Sequence, residues 1–492
     1  MASGRAPGQG SASKSGSGHR GAEDQSPDTS HGGRNAPKLI PPVTPSTRTE
    51  CWGNIIFFTC EIYVLRSSSE AFLLCLAEKT FLKLWAVPNS FYAPNKELTD
   101  LIIPFGDDIV IISDKACRFA FDKPVGLAWS RWSRDAIDDS LRQLKTAMQR
   151  VQRDPEKIFT DVQACSPLGW SIAQGGQLRF HLVAVARPDN DPEVVPPQWP
   201  GLSYASDAAE GDPFRIGKIA IGDHQVHVFD GPTIDLLLSE LDTAPDFIAY
   251  LTGRSKRLAE ATEYEFQERD LLGASLIGWD FEPTRLPSVP PLEAVVDGLW
   301  EMFNTGESAR RRREADRKGR ILDAIIEHQH GEFSAGRMLY EAPSYSQHEQ
   351  AMRLLATESR FARRIIAHEL HDILDEPDQS TFWASTVASP TMPWLRYVWL
   401  IYPERPDEIS EADCDRFMLH HLKQHVLVAQ GLFEQTLVLG TALPNRSAND
   451  TAIFAVLHDG SNWTEEDREE ALKLQDDGVF SRLEANDRVH IP

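Results

Sequence analysis

The stretch Glu97-Leu-Thr-Asp-Leu-Ile-Ile-Pro-Phe-Gly-Asp-Asp-Ile-Val-Ile-Ile-Ser-Asp-Lys115 constrains the fold of this chain more than any other. Two apolar runs, Leu98–Phe105 and Ile109–Ser113, flank a Gly106-Asp107-Asp108 turn, which is the pattern of a β-hairpin. Side chains alternate faces along a strand, so Asp100, Ile102 and Pro104 share one face, and Ile111, Ser113 and Lys115 share another. If those faces coincide, a carboxylate and a lysine meet at one end of an otherwise apolar hairpin. A pair of that kind can hold a metal ion and activate water.

A chain of 492 residues implies about three domains at roughly 150 residues each. Its 41% apolar content is enough for real cores. The net charge of −23 argues against non-specific nucleic-acid or membrane binding by the whole surface, but leaves room for a local basic groove. The longest apolar run near the start, Asn54–Cys60, is too short to span a bilayer, and no apolar leader segment precedes it. The six scattered cysteines contain no C-x-x-C, which fits reduced cytoplasmic thiols better than a disulfide framework or zinc knuckle.

Residues 1–48, rich in Gly, Ser, Pro and charge, read as a disordered tail. A first domain is expected over 49–270. It contains a strand within Ile55–Leu65, a helix over Ser67–Lys83, an aromatic loop over Trp85–Asn95 and then the hairpin. An amphipathic helix follows over Ala128–Val151, with Trp129, Trp132, Ile137, Leu141, Leu144, Met148 and Val151 at helical spacing. Leu178–Ala186 reads as a buried strand, Pro188–Pro213 as an exposed excursion, Phe214–Phe229 as two strands, and Pro232–Leu241 and Asp246–Tyr264 as helices. The prolines at 283, 287, 290 and 291 mark a boundary, and 271–345 reads as a linker and helical segment. Residues 346–492 read as a C-terminal α/β module: a helix over Gln347–Asp375, a strand over Trp394–Tyr402, a helix over Glu411–Gln430, strands over Thr436–Thr441 and Thr451–Leu457, and a helix opened by Thr464.

The order helix with Glu70, strand with Asp100, turn, strand ending in Ser113-Asp114-Lys115, then helix resembles the PD-(D/E)xK restriction-endonuclease-like superfamily. The wording of Ser69–Asn89, Glu97–Lys115, Leu127–Leu144 and Val228–Thr243 also resembles a family of bacterial proteins with a nuclease-like N-terminal domain, found among mobile or defence-type genes. The similarity covers roughly residues 55–265. It implies an α/β fold with a restriction-endonuclease-like mixed sheet flanked by helices, and Mg²⁺- or Mn²⁺-dependent endonuclease chemistry. Carried over residue by residue, Asp100 matches the central metal-binding Asp, Lys115 the catalytic Lys, Glu70 the Glu on the first helix, and Gln143 a polar helix residue beside the site. One position departs from the pattern: the acid expected two residues before the lysine is Ser113, a poorer Mg²⁺ ligand.

Each of these residues has a plainer role open to it. Glu70 follows Ser67 by three, the spacing of a helix-capping box. Asp100 could be a strand-edge acid and Lys115 a snorkelling strand-end lysine. Glu97, Asp107 and Asp108 are expected in solvated turns. Arg310, Arg311, Arg312 and Arg313 are the best candidates for phosphate contacts outside the site, although neighbouring acids also make a solvated mixed-charge helix. His368-Glu-Leu-His371 lacks the second His four residues after the first that a zinc protease needs, and His421/His425 lack a third ligand. His224 and His227 read as strand or turn residues.

The sequence therefore points to a cytoplasmic, non-membrane, metal-dependent nuclease. DNA stands ahead of RNA as substrate, and a protein partner could dock through the C-terminal module. The alternative is a catalytically degenerate nuclease-fold scaffold.

Overall fold

The computed structural model describes residues 68–169, 177–188, 198–277, 286–338, 344–375, 380–404, 408–433, 437–445 and 452–480; the side chains of 68–70, the expected tail and the expected strand within Ile55–Leu65 lie outside that set. The described residues begin with helix α1 (Ser68–Trp85) and a three-stranded antiparallel meander, β1 (Val87–Ala93), β2 (Lys96–Phe105) and β3 (Asp108–Ala116). The β2–β3 loop is the dipeptide Gly106-Asp107. Gly106 has φ +63°, a conformation that a two-residue hairpin loop demands and glycine adopts without penalty. Asp108 is thus the first residue of β3, opposite Phe105, and it accepts from Arg179 Nε at 2.9 Å. Glu97 likewise lies in β2, so neither acid is the solvated turn residue expected.

A long helix then crosses the sheet as α2 (Val125–Ser133), a π-helical turn (Arg134–Asp138) and α3 (Asp139–Arg153). It returns the chain to β4 (Arg179–Arg187), parallel to β3. The single amphipathic helix expected here is present, with one π turn that widens it near the sheet. After β5 (Ser203–Ala205), β6 (Arg215–Ile216) and β7 (Ile219–Ile221), strand β8 (His224–Asp230) adds parallel to β4, giving the order β1-β2-β3-β4-β8-β7. Helices α4 (Gly231–Glu240) and α5 (Ala244–Glu260) follow. Then β9 (Glu265–Gln267) closes a small sheet with β5 and β6, and α6 (Glu268–Ile277) follows it.

Helix α3 packs on β2, β3 and β4, whereas α1 packs on β2 and also touches α4, where Thr80 Oγ1 donates to the Leu238 carbonyl at 2.9 Å. The strands between carry near-continuous apolar runs: Ile102, Ile103, Ile109–Ile112 and Leu182–Ala186 are all fully buried. That pattern belongs to strands covered on both faces.

Helices α7 (Leu299–Asn304), α8 (Glu307–Gly319), α9 (Ile321–Ser334), α10 (Tyr345–Ala356) and α11 (Arg360–Leu374) lead to a second sheet. It is built from β10 (Trp383–Ala388), β11 (Leu395–Tyr402), β12 (Leu437–Pro444) and β13 (Phe454–Asp459), with α12 (Glu411–Phe433) crossing between the parallel strands β11 and β12, and α13 (Glu465–Asp476) at the end. The capping box at Thr464 is formed with Asp467. Along β11 the alternation is explicit. Val398, Leu400 and Tyr402 join a local core under α12, while Leu395, Tyr397, Trp399 and Ile401 join the main core.

Three expectations are corrected. Trp85–Asn95 is not a loop: Val87–Ala93 is an edge strand, where Pro88 costs no central ladder bond. Gln347–Asp375 is two helices, because Ser359 caps α11 by accepting from the Ala362 N–H while Glu358 turns into the core to meet Ser389, Thr391 and Tyr397. Within Pro188–Pro213, Trp199, Leu202 and Tyr204 are buried rather than exposed. The proline-rich boundary segment also packs inward: Val289 is buried, and its carbonyl accepts from Arg257 Nε on α5.

Candidate active site

Strand pairing places Leu101 opposite Ile112, so one further step puts Asp100 opposite Ser113 on a shared face. Asp100 Oδ2 accepts the Asp114 backbone N–H at 2.8 Å and lies 3.4 Å from Lys115 Nζ. The hairpin thus delivers the carboxylate–lysine pair that its period-2 pattern predicts. The Asp100 side chain is 7% exposed and that of Lys115 30%, so the ammonium reaches solvent while the acid is held from behind. Asp100 Oδ1 makes no hydrogen bond to any described residue, and Lys115 spends one of its three donors on Asp100.

Ser113 is fully buried on the same face. Its Oγ lies 2.9 Å from Gln143 Oε1 and 3.2 Å from Ser140 Oγ, and Ser140 in turn donates to the Ala136 carbonyl inside the π turn. Gln143 therefore stands next to β3, where its partner is Ser113.

Asp114 points to the opposite face. Its carboxylate meets Arg187 Nε at 3.0 Å, and Arg187 is itself 2% exposed, under the Phe72 ring of α1 and 3.8 Å from Asp235 on α4. Burial pushes the Asp114 carboxyl up to about 6, opposed by Arg187 and reinforced by Asp100; burial likewise pushes Asp235 up to about 7, against the pull of Arg187. One arginine is thus shared by two acids, and its Nη1 and Nη2 have no hydrogen-bond partner. Glu70 sits in the first turn of α1, on the helix that covers this second face; its side chain lies outside the described residues.

The structure therefore brings together Asp100, Lys115, Ser113 and Gln143. Among the described residues, no three His, Cys, Asp or Glu side chains converge as a metal site. Of the basic run on α8, Arg312 is buried and donates to the Glu240 carbonyl, which removes it as a phosphate contact. Arg313 pairs with Glu240, and Arg310 and Arg311 are exposed and paired with Glu307. His368 faces the exposed Asp372, the buried His371 lies 3.3 Å from the Lys318 carbonyl of α8, and His425 Nδ1 lies 2.8 Å from the His421 carbonyl of its own helix. His227 is buried in β8 between Arg254 and Ser255.

Sequence reasoning missed Ser140, Arg187 and Asp235. Only Arg187 carried a signal, as a charged residue ending a run of buried strand positions. No helix among the described residues is long and apolar enough to cross a membrane. Compared with protein-family models, curated proteins and solved structures, the chain matches none.

Proposed function

We propose that this chain is a metal-dependent nuclease of the restriction-endonuclease-like type, acting on phosphodiester bonds in DNA ahead of RNA. The observation that carries the reading is the Lys115 ammonium, near the end of β3, held 3.4 Å from the Asp100 carboxylate in the middle of the neighbouring strand β2. The element order also supports it: a helix, an antiparallel three-stranded meander, a crossing helix and a fourth strand parallel to the third. The residues present suit Mg²⁺ or Mn²⁺. Asp100 Oδ1 is a hard oxygen donor without a partner, and Mg²⁺ is commonly held by one or two carboxylates together with waters and substrate phosphates. Such an ion lowers the pKa of its bound water and offsets charge on the phosphate.

The protein's own contributions follow from the geometry. The Asp114 N–H and Lys115 fix Asp100 Oδ2, which leaves Oδ1 without a hydrogen bond to any described residue. The solvent-facing lysine has donors left to orient an attacking water or to bind a non-bridging phosphate oxygen. Ser113, tied to Gln143 and Ser140, clamps β3 to α3 and keeps the lysine's strand in register. The test is Mn²⁺-linked thermal stabilisation, wild type beside Asp100→Asn. Stabilisation of the wild type alone supports the reading, by about 2.7 kcal/mol at a hundredfold excess over Kd. An equal shift in both removes Asp100 as a ligand.

A second reading, a degenerate nuclease fold serving as a protein-binding scaffold, draws on one observation. Ser113 replaces the second acid and is fully buried, its hydroxyl already committed to Gln143. That reading requires no metal-linked stabilisation in either protein.

A further inference from the structure

Just past Lys115, the chain forms a cleft of about 380 Å³ between the segment Cys117–Lys123 and helix α2 with the π turn that follows it. Trp132, whose Nε1 donates to the Cys117 carbonyl at 3.0 Å, ties the helix to the end of β3 and forms the floor. Arg118, Lys123 and Arg131 line the cleft. Its one acid, Asp135, is already bonded to Arg134 Nε at 2.9 Å, and Lys123 has only an exposed contact with Asp122. Arg118 and Arg131 form no ion pair with any described residue. Arg118 and Arg131 are both exposed, with Asp122 the acid whose charge acts on Arg118, so the recess next to the end of β3 presents a local cationic patch on a chain of net charge −23, suited to an anionic ligand. On the same segment the Phe121 ring is 39% exposed, braced from behind by Phe119 at 4.9 Å between centroids.

We propose that this cleft binds single-stranded nucleic acid, with backbone phosphates on Arg118 and Arg131 and an unpaired base stacked on Phe121. Cationic grooves with exposed aromatic rings bind strands in this way without reading sequence. The cleft falls within the range of small-ligand pockets, about 300–1,000 Å³, which admits a nucleotide and not a duplex. The inference rests on the nucleic-acid reading of the Asp100–Lys115 site and narrows its substrate to strands with unpaired bases.

The test is fluorescence anisotropy of a labelled oligothymidylate 12-mer on the full chain in EDTA, where cleavage cannot occur. Binding is expected to weaken at least tenfold in Arg118→Ala/Arg131→Ala. The slope of log Kd against log salt should fall by about 1.4, since each phosphate contact to a single strand contributes about 0.7. Phe121→Ala should weaken binding at least fivefold, while the remote Arg416→Ala should bind as wild type. Unchanged binding by the double variant, tighter binding of a 12-base-pair duplex, or no binding by the wild type overturns the proposal. A strand that binds through the cleft but is never cut with Mg²⁺ or Mn²⁺ sinks the nuclease reading and leaves the cleft standing. Cleavage by a double variant that binds normally does the reverse.

Discussion

Replacing Glu327 by Gln should stabilise the protein, and more so as pH rises. Helix α1 is kinked at Leu82, whose φ of 62° withdraws the next N–H from the helical ladder. Glu327 Oε1, on α9, accepts that Lys83 N–H at 2.7 Å. Burial pushes the Glu327 carboxyl from 4.5 up to about 7. The nearby Glu78 and Asp323 push the same way, and the Lys83 charge and N–H oppose them. A carboxyl whose value is raised on folding takes up protons in the native state, so its ionisation penalises the fold at high pH and the penalty fades as pH falls below about 7. At about 1.4 kcal/mol per pH unit, the gap between 4.5 and about 7 is worth about 3 kcal/mol at pH 8.5 and about 1 kcal/mol at pH 5. Gln keeps the carbonyl acceptor for Lys83 and cannot ionise. Urea unfolding of wild type and Glu327→Gln at the two pH values measures the gap. A variant less stable at pH 8.5, or a difference that does not change with pH, would refute the reasoning.

Three further outcomes follow from packing. Gly273→Ala places a Cβ about 2.7 Å from Trp300 N and 2.8 Å from the Leu299 carbonyl, where helices α6 and α7 meet backbone to backbone; a loss of about 1–3 kcal/mol is expected by thermal or urea unfolding. Trp85→Phe removes the 2.9 Å bond from Nε1 to the buried Glu349 Oε1 and should cost about 1–3 kcal/mol, with a further upward shift of the Glu349 carboxyl, already raised by burial, readable in the pH dependence of unfolding. Ser359→Ala deletes the cap of α11 and should cost about 1 kcal/mol, whereas Ser359→Asp should retain most of it.

Local pattern carried much of this fold. The alternation around Gly106 gave the hairpin and, with it, the meeting of Asp100 and Lys115, because two paired strands read in period 2 settle which side chains share a face. Helical spacing of Trp129 through Val151 gave the crossing helix, but not its π turn, since one inserted residue shifts the apolar stripe too little to see in sequence. Strand β1 was hidden by Pro88 and its aromatic residues, which look like a loop until an edge position makes them tolerable. Strand β10, Trp383–Ala388, is a half-exposed edge strand without a strong apolar period. The break between α10 and α11 was hidden because Glu358 looks like one more surface helix residue, when it is a fully buried hydrogen-bond hub. The bond of Arg187 to Asp114 joins residues 73 positions apart through parallel strand pairing, and no local pattern encodes it. Arg118 and Arg131 were passed over for a similar reason. They line one cleft only once the segment after β3 and the last turn of α2 are brought together, whereas the conspicuous Arg310–Arg313 run proved half committed to Glu240.

The most direct test of the nuclease account is cleavage of circular DNA, both supercoiled plasmid and single-stranded circle, with Mg²⁺ or Mn²⁺, wild type beside Lys115→Met. The account predicts metal-dependent nicking by the wild type and its loss in a variant that melts at the same temperature. Equal cleavage by the variant, or no cleavage of either DNA form or of RNA by the wild type, would contradict it.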